Sequence, residues 1–188
     1  MSELQEILRR YQKLRDFCDG FWGRVVKKYP DAFACAPGCS TCCELSSVNY
    51  LEAYIIAGLP GKKPGPAAAD TCPYLDSDRC SIYASRPLIC RTHGLLLKSE
   101  EYSYALTLSC PFNFTRVDPD AVDPGVILEI DTVSNNLARL NAAFCIVNGG
   151  AVKKAGERIP LRDLASGKVT GESLLARGRH DGPGEAAP

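Results

Sequence analysis

Cysteine is the residue type most able to do chemistry in this chain, and eight of its ten cysteines lie between residues 35 and 110. Four of them fall within nine residues, in the run CAPGCSTCC, where Pro37 and Gly38 turn the chain so that thiols can face one centre. Thiolates are soft ligands, suited to zinc or iron–sulfur clusters rather than magnesium or calcium. We interpret the region as a metal site whose candidate ligands are Cys35, Cys39, Cys42, Cys43, Cys72, Cys80, Cys90 and Cys110.

A disulfide framework is the competing interpretation of so many cysteines. Disulfides persist in oxidising compartments, whereas a reducing cytosol leaves thiols free for metals. The N-terminus, MSELQEILRR, is charged and lacks the apolar stretch of a secretory signal. No apolar run approaches the ~20 residues that span a bilayer. The sequence therefore predicts a cytoplasmic protein with no membrane partner, and in that setting metal ions are favoured over disulfides.

Charge and histidine content narrow the functional classes. Lys and Arg number 22, as do Asp and Glu, and the basic residues form no patch, which argues against a nucleic-acid partner. The chain has two histidines, and it shows neither a nucleotide-binding glycine loop nor a Ser-His-Asp arrangement. His93 follows Cys90 closely and could be a ninth ligand, although we favour a hydrogen-bonded structural histidine. Composition leaves open whether the protein is an enzyme.

Two long helices are predicted on either side of the cysteine region. Residues 2–29 carry apolar side chains at helical spacing, with Ser2 as N-cap and Pro30 as terminator. A second amphipathic stripe covers residues 124–148, with Asp123 as the cap, and should pack against the first helix. Cys18 and Cys145 fall on these helices, where small buried hydrophobes are expected rather than ligands.

Shorter elements are expected between the long helices. A short helix begins after Asn49 and has Glu52 in its first turn, where a carboxylate interacts favourably with the helix dipole. Residues 58–70 are rich in Gly and Pro and read as a connector. A hairpin or short turn spans residues 75–82, and residues 94–108 suit a second hairpin.

The remaining segments complete the predicted fold. A helical turn starting at Arg86 carries Cys90 toward the other thiols. Beyond residue 151 order is expected to fade, apart from one docked turn at residues 159–164, and residues 177–188 should be disordered. The expected architecture is a single, mainly α domain over residues 1–176. It has irregular cysteine-rich loops, at most a small hairpin, and two long helices flanking a metal-cluster centre.

The cysteine region also resembles a known family. The pattern C-P-x-L, then C-x-I-Y-x-x-R-P-x-x-C-R, preceded by G-C-x-x-C-C, is similar to the zinc- or iron-chelating domain of CxxCxxCC or YkgJ-like cysteine-cluster proteins. The matching residues are Gly38, Cys39, Cys42, Cys43, Cys72, Pro73, Leu75, Cys80, Ile82, Tyr83, Arg86, Pro87, Cys90 and Arg91. The resemblance covers about residues 35–110 and implies metal chelation. Cys35 departs from the family spacing, because three residues rather than two separate it from Cys39.

These observations define the functional expectation. Four thiolates can close a tetrahedral zinc site or hold a 4Fe–4S cluster, so the expected cofactor is zinc or iron. Arg86 and Arg91 lie near Cys90 in sequence and are candidates to offset the thiolate charge from outside the ligand shell. The alternative is a component of a methyl-transfer or electron-transfer system with an unidentified protein partner, since a similar cysteine domain occurs in flagellin lysine-N-methylases.

Overall fold

The fold is built mainly from helices, as the sequence predicts. The computed structural model describes residues 1–61, 64–65, 70–103, 106–108, 110–118, 121–149 and 152–176. Within these residues the α-helices are α1 (Glu3–Lys28), α2 (Tyr50–Ala57), α3 (Leu88–Thr92), α4 (Ile130–Val147), α5 (Leu161–Ala165) and α6 (Gly171–Ala176). The strands are β1 (Ser47–Val48), β2 (Leu75–Asp76), β3 (Arg79–Cys80), β4 (Leu96–Lys98), β5 (Thr107–Leu108), β6 (Ile127–Glu129) and β7 (Ile159–Pro160). The prediction of a mainly α fold with irregular loops is confirmed.

Helix α1 begins and ends where the sequence predicts. The Ser2 hydroxyl accepts from the Gln5 amide at 3.2 Å, and the Gln5 side chain accepts from the Ser2 amide at 2.9 Å. This capping box satisfies two amides that the first turn leaves unpaired. The helix stops at Lys28 because Pro30 disfavours helical geometry at Tyr29. Its buried face packs against α4, so the predicted pairing of the long helices is confirmed.

The second long helix begins later than predicted. Asp123 does act as a cap, accepting from the Gly125 amide at 2.7 Å, but it caps only a 3-10 turn, Pro124–Val126. Residues Ile127–Glu129 then form β6, which pairs in parallel with β4. The expectation of a helix from residue 124 is therefore wrong, because backbone pairing with a distant strand overrides the local helical pattern. Helix α4 starts at Ile130.

Both predicted hairpins are present. Strands β2 and β3 are antiparallel, with Leu75 opposite Cys80, and their turn uses Ser77 and Asp78 at positive φ (49° and 60°). Two successive residues at positive φ match the right-handed twist of a tight hairpin. Strand β5 pairs with β4 and places Leu108 opposite Leu96, which completes a three-stranded sheet ordered β5-β4-β6.

Order continues well past residue 151. Strand β7 pairs with β1, and the Leu161 amide donates to the Ser46 carbonyl at 2.8 Å. Leu161, Leu164 and Leu174 are then buried with α2 and α4 in one hydrophobic core. The predicted docked turn is confirmed, whereas the expected fading of order through residue 176 is wrong, because these leucines have a core to enter. Residues 177–188 lie outside the described part of the chain.

Two cysteines belong to this core. Cys18 on α1 is fully buried and Cys145 on α4 is buried at 4% exposure. Burial raises the pKa of the Cys18 thiol to about 11. Both behave as small apolar side chains, as their positions on the helical stripes predict. Among the described helices, none has the length and apolar character needed to cross a membrane.

Candidate metal centre

Separate segments supply the eight candidate thiols. Cys35, Cys39, Cys42 and Cys43 occupy the loop between α1 and β1. Cys72 precedes the β2–β3 hairpin, Cys80 lies on β3, Cys90 lies on α3, and Cys110 follows β5. All eight are free thiols. The first three are exposed, Cys110 is buried, and the other four are intermediate. Tertiary structure therefore decides which of these thiols meet.

A first set consists of Cys35, Cys39, Cys42 and Cys110. Asn113 connects Cys35 to Cys110. The Asn113 amide donates to the Cys110 carbonyl at 3.4 Å, and Asn113 Nδ2 lies 3.5 Å from Cys35 Sγ. The Phe114 amide also donates to the Ala32 carbonyl at 2.6 Å, which ties the two segments together. Within the loop, the Cys39 amide donates to the Ala36 carbonyl at 3.0 Å across a turn that needs Gly38 at φ 93°.

A second set consists of Cys43, Cys72, Cys80 and Cys90. The Cys72 amide donates to the Cys43 carbonyl at 2.8 Å, which joins the loop to the hairpin. Pairing of β2 with β3 then returns the chain from Cys72 to Cys80. Tyr74 lies between them, fully buried, and its hydroxyl is a buried polar atom without a hydrogen-bond partner among the described residues.

Glu52 connects the second set to the helical core. It is 4% exposed, and its Oε1 accepts from the Tyr11 hydroxyl at 3.0 Å and from the Leu88 amide at 2.9 Å. Its Oε2 accepts from Asn49 Nδ2 at 3.1 Å. Leu88 is the first residue of α3, whose first-turn amides have no partner within the helix. Glu52 therefore fixes the start of the helix that carries Cys90.

The charges that act on each thiol indicate which other thiols lie near it. Burial raises the pKa of Cys42, and so do the charges of Cys35, Cys39 and Cys110. Burial, followed by the charges of Cys72 and Cys80, raises the pKa of Cys90 to about 12. Burial raises the pKa of Cys43 to about 12, and the charge of Cys42 and then those of Cys80 and Cys72 add to the shift, so the two sets meet at Cys42 and Cys43.

The donor chemistry fits a soft cation. Four sulfur donors match the ligand number of tetrahedral zinc and of a 4Fe–4S cluster. Burial and, after it, repulsion among neighbouring thiolates raise the pKa values of Cys42, Cys43 and Cys90, and a bound cation would offset both effects. Among the residues that the structure describes, no three Cys, His, Asp or Glu side chains are arranged at metal-ligand geometry.

The two arginines named by sequence lie beside the second set. Arg91 is 2% exposed; it pairs with Asp19 of α1 and donates to the carbonyls of Arg86 at 3.0 Å and Ala84 at 2.6 Å. Arg86 packs its guanidinium 4.0 Å from the centroid of the Tyr83 ring. In the Cys80 thiol, burial raises the pKa and the Arg86 charge opposes that shift.

The sequence did not predict the structural roles of two residues near the thiols, Asn113 and Glu52. Asn113 is fully buried, accepts from the Ala34 amide at 3.0 Å and donates to the Gly94 carbonyl at 2.9 Å. In the sequence, only the position of Asn113 shortly after Cys110 could have indicated this role. Glu52 was expected to interact with the dipole of its helix, whereas it also bonds to α1 and α3. His93 is partly buried, and that burial lowers its pKa.

Comparison with protein families gives a match over the cysteine region. Residues 34–111 match the model of a family described as "Putative zinc- or iron-chelating domain", CxxCxxCC. The predicted resemblance over about residues 35–110 is thereby confirmed. The matched segment is less than half of the 188 residues and contains all eight candidate thiols. No curated protein and no solved structure matches the chain.

Proposed function

We propose that this chain is a metal-binding protein that holds zinc or an iron–sulfur cluster through cysteine thiolates. The ligands are the two sets, Cys35, Cys39, Cys42 and Cys110 with Cys43, Cys72, Cys80 and Cys90. The observation that carries the proposal is the distribution of the ten cysteines between the helical core and the cysteine-rich segments. Cys18 and Cys145 lie in the helical core, whereas the other eight occupy the loop between α1 and β1, the region of the β2–β3 hairpin, α3 and the segment after β5.

Several features support a structural role for the metal. Strands of two or three residues and a five-residue helix form the cysteine region, and such short elements gain little from their own hydrogen bonds. Metal binding free energy is folding free energy in such sites. We infer one domain over residues 1–176, in which the helical core anchors the region and the metal completes it. Arg86 and Arg91 stabilise the surrounding backbone and part of the thiolate charge.

The compartment follows from the same chemistry. Thiolate ligands must stay reduced, and a reducing cytosol keeps them so. We therefore infer a cytoplasmic protein whose partners are metal ions, with no nucleic acid, because its charges balance. None of the contacts described above favours a role in methyl transfer or electron transfer, and we do not propose one.

Metal analysis of the full chain, purified without oxygen, chelator or metal-affinity tag, tests the proposal. A colourless protein with stoichiometric zinc identifies a zinc centre. A brown protein with iron, acid-labile sulfide and absorbance near roughly 400 nm identifies an iron–sulfur centre. A folded protein that contains neither metal, and takes up neither when reconstituted, would refute it. Cys18→Ala is the matched control and should retain the metal content of the wild type.

A further inference from the structure

We propose that the eight thiolates form two separate metal centres and that the adjacent residues Cys42 and Cys43 serve different ones. The first centre takes Cys35, Cys39, Cys42 and Cys110, and the second takes Cys43, Cys72, Cys80 and Cys90. This inference rests on the proposed function and assigns its ligands. It excludes both a single shared cluster and a division that follows chain order, with the four loop cysteines in one centre.

The path of the backbone supports the first centre. Cys110 is distant from the loop in sequence, yet Asn113 contacts both Cys35 Sγ and the Cys110 carbonyl. Gly94 closes the same region: a Cβ atom placed there would lie 3.7 Å from the Cys110 Cβ and 2.6 Å from Asn113 Nδ2. Cys110 is therefore packed toward the Cys35 end of the loop.

The path of the backbone also supports the second centre. The Cys72 amide donates a hydrogen bond to the Cys43 carbonyl, and the hairpin that follows Cys72 leads to Cys80. Cys90 lies on α3, whose start is held by Glu52, and it is close enough to Cys72 and Cys80 for their charges to raise its pKa further after burial has raised it. Tyr74 adds an independent sign of a charged ligand shell. Its fully buried hydroxyl has no acceptor among the described residues, and a thiolate formed on the neighbouring Cys72 would be a natural acceptor.

The turn that contains Cys42 and Cys43 lies where the two sets meet, and the two side chains contact each other there. The Cys43 amide donates to the Ser40 carbonyl at 2.9 Å, and this turn directs the chain from the first set into the second. Four thiolates in each centre then match either a tetrahedral zinc ion or a 4Fe–4S cluster.

Metal stoichiometry in single serine variants of the full chain tests the division. Wild type should bind two equivalents of zinc, or two clusters, per chain. Cys42→Ser and Cys43→Ser should each retain one. Two double variants distinguish this division from one that follows chain order. Cys42→Ser/Cys39→Ser should retain one equivalent, whereas Cys42→Ser/Cys43→Ser should lose both. The outcomes that overturn the proposal are one equivalent in wild type, or retention of one equivalent in the Cys42→Ser/Cys43→Ser double.

Ligand replacement keeps the test decisive if a serine variant fails to fold. Cys39→His and Cys80→His each preserve a donor atom, so metal content should remain at two equivalents. With cobalt(II) as the probe, each variant should alter the spectrum of one of the two bound ions, and the double variant should alter both. If both single variants alter the same ion, the division is wrong. Wild type that binds no metal would refute the proposed function itself, which is a different result.

Discussion

Replacing Glu52 by alanine should destabilise the protein by about 4 kcal/mol. The substitution removes the acceptor of three buried donors, and two of them, the Leu88 amide at 2.9 Å and the Tyr11 hydroxyl at 3.0 Å, belong to other helices. A buried donor left without a partner costs roughly 1–3 kcal/mol, so two give roughly 2–6 kcal/mol. For a chain of this size, about 4 kcal/mol lowers Tm by roughly 8–16 °C.

The isosteric variant separates hydrogen bonding from charge. Glu52→Gln keeps an oxygen for Leu88 and Tyr11 but presents an amide to Asn49 Nδ2, which should cost about 1–2 kcal/mol. Burial raises the pKa of Glu52 above its ordinary value of 4.5. The folded protein therefore holds this proton more tightly than the unfolded chain does. The contribution of the carboxyl to stability is full below pH 4.5 and declines as pH rises through the raised pKa. The cost of Glu52→Gln should accordingly shrink as pH rises above 4.5 toward the raised pKa.

Chemical denaturation followed by circular dichroism, with metal content measured in parallel, is the assay. Glu172→Ala is the matched control, since Glu172 is an exposed carboxylate in the first turn of α6, as Glu52 is a buried one in the first turn of α2. The control should change stability by less than about 1 kcal/mol. Glu52→Ala should weaken metal retention by the centre that contains Cys90 and spare the other. A Glu52→Ala protein as stable as Glu52→Gln would refute the role assigned to this carboxylate.

Other predictions concern the two centres. Gly94→Ala should destabilise by about 1–3 kcal/mol in denaturation, because its φ of 86° and a contact of 2.6 Å to Asn113 Nδ2 leave no room for Cβ; unchanged stability would contradict that geometry. Asn113→Ala should cost about 1–3 kcal/mol, because it unpairs the buried Gly94 carbonyl and the part-buried Ala34 amide. It should also loosen the metal held by the first set, as dialysis against chelator would reveal. Zinc uptake near pH 8 should release about one proton per ligand, because the pKa values of Cys43 and Cys90, raised mainly by burial to about 12, keep both protonated. Calorimetry in buffers of different ionisation enthalpy would measure the number of protons released. A release well below one proton per ligand would show that the thiols are already ionised before zinc binds.

Local signals determined much of the helical scaffold. Ser2 and Asn49 cap helices where the sequence placed them, because a capping side chain and the amides it satisfies lie within one turn. Cys18 and Cys145 were assigned to the core from helical periodicity, which depends only on neighbouring residues. The predicted start of α4 was wrong because residues 127–129 form β6, whose extended conformation depends on pairing with the distant strand β4.

The sequence by itself determined which thiols are available and what class of cation they suit, since both follow from residue type and local spacing. Only the tertiary structure decided how those thiols are grouped. Cys110 joins Cys35 through Asn113, and Cys43 joins Cys72 through a backbone hydrogen bond. Spacing along the chain placed Cys35, Cys39, Cys42 and Cys43 together, but it contains no information on contacts that form when distant segments pack. The loop is therefore divided between two sets because its partners arrive from different parts of the fold.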